Sequence, residues 1–197
     1  LYTAKVLGLF PDVSSDGLIP LSALHDATNR EIPAGTTRPN ELGVDVARFG
    51  DDKSTFYHRV GIGSRRVGEH RKRDLMELVG KTVKLANMLG VDAIKIDDTG
   101  MGGGVTDRLN ELRFEGKLKA KIVPVNNGTK PQTADDAERF FNLRCQLHWM
   151  MRERFISGNI VLLPPVDLIA DPEGDNPIEG GLDDLLGLAL AGREKGT

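Results

Sequence analysis

At 197 residues the chain is long enough for one sizeable core, or for one core and an appendage. An apolar content of 39% and a charged content of 28% place it among soluble globular domains, and no apolar run approaches the roughly eighteen residues that span a bilayer. The net charge of −3 excludes a uniformly basic protein, and the lone Cys145 excludes an internal disulfide or a cysteine-based zinc site.

The chain begins Leu-Tyr-Thr, with no Met and no apolar leader, which reads as a piece of a longer protein. Residues 1–40 lack periodicity and are broken by Pro11, Gly17, Pro20, Pro33, Gly35 and Pro39, the texture of a lead-in or linker with one short helix at Pro20–Asn29. Residues 41–197 read as the domain proper. "LGVDVA" is its first strand, "RFGDDKS" a turn, and "TFYHRVG" and "SRRVGEH" two further strands of a meander. "DLMELVGKTVKLANMLG" is a helix, with Asp74 as N-cap and Gly90 as C-cap.

"VDAIKID" is a strand ending at Asp97. The Gly-rich "DTGMGGG" then forms a loop before a helix, "VTDRLNELRF". That loop lacks the GKS/T of a Walker motif and the G-x-G-x-x-G spacing, so its expected use is a tight turn beside Asp97. "LKAKIVPV" is a strand with Lys117, Lys119 and Lys121 on one face. Asp135 opens a long helix, "AERFFNLRCQLHWMMRERF", in which Cys145 is expected to be buried. "NIVLLPP" is a short extended segment and "GLDDLLGLALAG" a last helix. The fold class is α/β: a mixed sheet, an antiparallel meander followed by parallel strands, with helices on both faces.

Three carboxylate positions carry chemistry: Asp45 in the first strand, Asp97 at the end of the fourth, and Asp183-Asp184 at the start of the last helix. Strand ends and helix N-termini of mixed sheets meet at one edge, where sites form. Each acid has a purely structural use as well: Asp45 in the following turn, Asp97 on loop N–H groups, Asp183 or Asp184 as a helix cap. An ionised carboxylate in an apolar strand is costly unless something cationic offsets it, and two strands repeat the pattern. Among the four histidines, His25, His58, His70 and His148, no metal-binding spacing occurs, so a metal here takes oxygen ligands. Two Mg²⁺ or Mn²⁺ ions about 4 Å apart, between such carboxylates, are the apparatus of phosphodiester hydrolysis.

Charge distribution adds a polar axis. Arg65, Arg66, Arg71, Lys72 and Arg73 lie within "GSRRVGEHRKR" against the single acid Glu69, whereas residues 167–184 carry seven acids and no Lys or Arg. The basic run is either a solvated hairpin edge or a surface contacting DNA phosphates.

Taken in order, "GVDVARFGDDKS", "IKIDDTGMGGGVTDRL", "FFNLRCQLHWMMRERFISGNIVLLP" and "DDLLGLALA" resemble the nuclease domain of the large terminase subunit of tailed bacteriophages, over roughly residues 41–192. The lead-in "YTAKVLGLFP" and "LIPLSALHDA" resembles the segment that joins the motor domain to the nuclease. The resemblance implies an RNase H-like fold, shared with RuvC-type resolvases, and a metal-dependent endonuclease that cuts double-stranded viral DNA with little sequence specificity. It implies Asp45 as the acid bridging two ions, Asp97 as the second acid, and Asp184 as the third, with Asp183 beside it. Gly187 departs from the acid or polar residue frequent in relatives. It also implies partners in the full-length protein, namely the portal, the small terminase subunit and other large-subunit copies. The implied location is the cytoplasm of the infected bacterial host, with no membrane. No P-loop is present, so no ATPase activity is expected of this chain. A RuvC-like junction resolvase, a non-catalytic DNA-clamping or docking module and an actin-like kinase lobe are the alternatives.

Overall fold

The computed structural model describes residues 17–47, 53–71, 74–99, 102–131 and 133–169. The chain divides into two compact units, Leu1–Ile32 with Gly128–Leu162, and Pro33–Asn127 with Leu163–Thr197.

In the first unit, helix α1 (Leu21–Asn29) follows Pro20, whose fixed φ suits a helix start. Thr133 caps α4 (Ala134–Arg139) and Asn142 caps α5 (Leu143–Ile156). The expected single long helix is therefore two. Phe140 is extended, and the side chains of Thr133 and Asn142 accept the N–H groups of Asp136 and Cys145, which gives each helix its own start. Asp135 lies inside α4 and is not its cap. Cys145 is exposed rather than buried, because α5 buries Leu143, Gln146 and Phe155 on a different face. Ala27, Phe155 and Ile160 form a small core, joined by Leu162 of the two-residue strand β6 (Val161–Leu162).

The second unit holds a sheet of β1 (Asn40–Asp45), β2 (Ser54–Val60), β3 (Gly63–His70), β4 (Ala93–Asp97) and β5 (Lys121–Val125) in the order β5-β4-β1-β2-β3. The β1–β2–β3 meander is antiparallel, and β4 and β5 continue on the other side of β1 in parallel. Gly61 closes the β2–β3 hairpin at φ +58°, a backbone that L side chains rarely adopt. Lys117 and Lys119 precede β5, so they form no row of strand lysines with Lys121.

Alternation buries Leu42 and Val44 of β1, Phe56 of β2 and Ile94 and Ile96 of β4 on one sheet face. Helices α2 (Leu75–Leu89) and α3 (Gly102–Phe114) contribute Leu78, Leu85, Val105 and Leu109 to the same core. Asp74 and a left-handed Gly90 cap α2 as its sequence predicts. By contrast, α3 begins at Gly102, inside the stretch expected to be loop. The last helix predicted from sequence lies outside the described residues.

Candidate active site

The sheet order places its topological switch between β1 and β4, since the chain leaves β1 toward β2 and returns on the opposite side. Val44 lies beside Ile96 in that parallel pair, so the next residues, Asp45 and Asp97, end adjacent strands at one level. Neighbouring strands run about 4.8 Å apart. Both acids alternate away from buried Val44 and Ile96, and so leave the sheet on the face opposite α2 and α3. Asp45 is exposed and Asp97 half-buried. The desolvation penalty expected for Asp45 therefore does not arise: it is the last residue of its strand and faces water.

Asp97 is held on both oxygens. Its Oδ1 accepts the Thr99 N–H at 2.9 Å, and its Oδ2 accepts from Asn127 Nδ2 at 3.1 Å. Asp98 turns away, its Oδ1 accepting from the Thr106 hydroxyl of α3 at 2.9 Å. The glycine loop serves Asp97 through close packing: a Cβ at Gly102 would lie 2.1 Å from the Asp97 carbonyl oxygen. Neither Asn127 nor Thr99 was singled out by sequence. "NNG" after a strand signals a turn, and nothing local reports a bond to a residue in another strand.

Among the described residues no three of His, Cys, Asp and Glu gather closely enough to hold a metal ion. Asp45 and Asp97 supply two carboxylates to one spot, an all-oxygen donor set of the kind Mg²⁺ and Mn²⁺ take. Each Asp97 oxygen has one hydrogen-bond donor among these contacts and a second lone pair. The pair thus fits a divalent cation in part. Asp183 and Asp184 lie outside the described residues.

The basic run is not one exposed stripe. Arg65 is only 6% exposed, which corrects its expected place on a DNA-contacting surface. It sits opposite His58, whose pKa falls to about 4, first through burial and then through the Arg65 charge. Arg66 pairs with Glu69, which also binds Lys53 at 2.8 Å. Lys53 holds the Glu69 carboxyl below its usual range, against the opposing effect of burial, with Arg66 adding to the shift. Arg71 is exposed; Lys72 and Arg73 lie outside the described residues. Nor is the β3 edge open, because its Ser64, Arg66 and Val67 carbonyls accept from Leu163, Val166 and Leu168.

Cross-strand register puts Asp45 opposite Thr55 and Thr55 opposite Glu69. One row therefore crosses four strands, from Asp97 through Asp45 and Thr55 to the Glu69–Lys53–Arg66 cluster.

No protein-family model matches the chain, and no curated protein matches it. Solved structures do. The nuclease domain of the large terminase subunit gp2 of bacterial virus Sf6 superposes with a TM-score of 0.58 at 20% identity, over 76% of this chain and 73% of that one. A mutant of that domain with manganese and beta-thujaplicinol gives a TM-score of 0.56 at 20% identity over the same shares. The large terminase nuclease from thermophilic phage G20c with bound magnesium gives 0.51 at 16% identity, over 92% of this chain and 99% of that one. The chain therefore has the RNase H-like α/β fold found in the nuclease domains of phage large terminase subunits.

Proposed function

We propose that the chain is a divalent-metal-dependent DNA endonuclease, the nuclease part of a large terminase subunit that cuts double-stranded viral DNA during genome packaging. The observation that carries this reading is the pair Asp45 and Asp97, ending adjacent parallel strands at the switch point of the sheet on one face. The fold neighbours with manganese and magnesium support the choice of Mg²⁺ or Mn²⁺.

Asp45, Asp97 and Asp184 or its neighbour Asp183 would hold the two cations, with Asp45 as the acid common to both. Cations bound there would supply water activation and charge neutralisation at the leaving 3′ oxygen. The chain's own part is to hold the carboxylates at fixed positions and to present the DNA backbone to them. No protein general base is assigned. The exposed Arg71, the paired Arg66, and Lys72 and Arg73 are the backbone contacts. In the full-length protein the partners are the portal, the small terminase subunit and further large-subunit copies, in the host cytoplasm. Among the described residues no helix is long and apolar enough to cross a membrane.

One observation favours a second reading, a non-catalytic DNA-clamping module: both Asp97 oxygens already have protein partners. Incubating supercoiled plasmid with Mn²⁺, Mg²⁺ or EDTA separates the two. The nuclease reading expects nicking and linearisation with metal, none with EDTA, and none with Asp45→Ala. Plasmid left intact under all conditions, or cut equally by Asp45→Ala, overturns it.

A further inference from the structure

We propose that Asn127 is a positioning residue that orients the Asp97 carboxylate for metal binding; this rests on the metal-site reading above. Three contacts close a ring. Thr99 N–H donates to Asp97 Oδ1 at 2.9 Å, Asn127 Nδ2 donates to Asp97 Oδ2 at 3.1 Å, and the Asn127 backbone N–H donates to the Thr99 hydroxyl oxygen at 3.2 Å.

The Thr99 contact alone is ordinary local turn chemistry, an Asp side chain bonding the backbone two residues on. Asn127 differs in kind. It arrives from the end of β5, thirty residues later in the chain, and reaches the oxygen that the turn leaves open. A carboxylate rotates broadly about its last torsion, so one contact leaves its plane loosely set, and a second donor on the other oxygen fixes it. Each oxygen has one donor in these contacts and retains a second lone pair. The Thr99 hydroxyl in turn fixes Asn127. Hydrogen-bond partners that orient a metal-binding side chain from outside the metal's own shell usually carry about 10- to 100-fold in metal affinity.

The test is direct Mn²⁺ binding, read from the paramagnetic resonance signal of the free aqueous ion, for the unaltered chain and for Asn127→Ala, Thr99→Val and Asp45→Ala. Melting in EDTA is measured alongside. Asn127→Ala is expected to weaken Mn²⁺ binding about tenfold or more, to melt within a few degrees of the unaltered chain, and to regain cleavage at saturating Mn²⁺. Thr99→Val is expected to shift binding the same way by less. Unchanged Mn²⁺ affinity in Asn127→Ala overturns the proposal; should that variant not fold, unchanged affinity in Thr99→Val overturns it. If the unaltered chain takes up no Mn²⁺ that Asp45→Ala removes, the metal-site reading itself falls and this role falls with it.

Discussion

Gly102 lies directly against the end of β4: a Cβ on it would stand 2.1 Å from the Asp97 carbonyl oxygen and 3.0 Å from the carbonyl carbon. The obstacle is backbone, which cannot swing aside as a side-chain tip can. Gly102→Ala is expected to destabilise the fold by about 2–3 kcal/mol, as overpacking does, and to displace Asp97 enough to lower cleavage further than stability alone explains. Gly103→Ala is the control, since its Cβ would meet only the Asp98 side chain at 3.9 Å. Equal effects of the two substitutions in denaturant melts and plasmid cleavage would remove the packing explanation.

The next expectation concerns acid stability. Asn40 donates its amide to the Leu89 and Gly90 carbonyls at the end of α2, so its oxygen accepts from His58 Nε2 at 2.7 Å and that nitrogen carries the proton. Burial, and then the charge of Arg65, lower the His58 pKa from 6.5 to about 4. A depressed folded-state pKa means that the unfolded chain takes up the proton first, so the stabilisation is whole above pH 6.5 and drains away as pH falls toward 4. Its size is at most about 3 kcal/mol. His58→Gln is expected to flatten the fall in melting temperature between these limits, and parallel curves for the two proteins would count against it.

The cluster at the far end of the carboxylate row makes a prediction about DNA. Lys53 and Arg66 share one carboxylate, that of Glu69, which leaves a net positive charge on the face bearing Asp45 and Asp97. Partly exposed ion pairs add little stability, so Lys53→Ala, Arg66→Ala and Glu69→Gln are each expected to change it by under about 1 kcal/mol. Binding is where they should differ. Measured on duplex DNA in Ca²⁺, each cation lost is expected to weaken affinity and reduce the log-log salt slope by about one, while Glu69→Gln strengthens binding. An unchanged salt slope in both cation variants would confine the cluster to a structural role.

Much of the fold was legible because its signals are local. Asp74 and Gly90 stand at the two ends of an apolar helical stripe, and a cap is decided by residues within one turn of it. The alternation of "VDAIKID" likewise gave β4 its two faces. Local signals mislead where two of them compete. Through "AERFFNLRC" the apolar periodicity runs on, yet Thr133 and Asn142 each start a helix and Phe140 is extended between them.

The carboxylates divide along the same line. That Asp97 ends a strand was written in the sequence, since it closes an apolar alternation before a Gly-rich stretch, whereas Asp45 reads as lying inside its strand and only the structure makes it the last residue. That they stand side by side was decided only when β4 paired in parallel with β1, because register between distant segments is set by how their buried faces pack. Packing also turned Arg65 inward beside His58 and brought Asn127 to Asp97. A one-dimensional chain records which side chains are available; which of them meet is fixed by pairings whose partners lie tens of residues away, and those pairings exist only in the folded sheet.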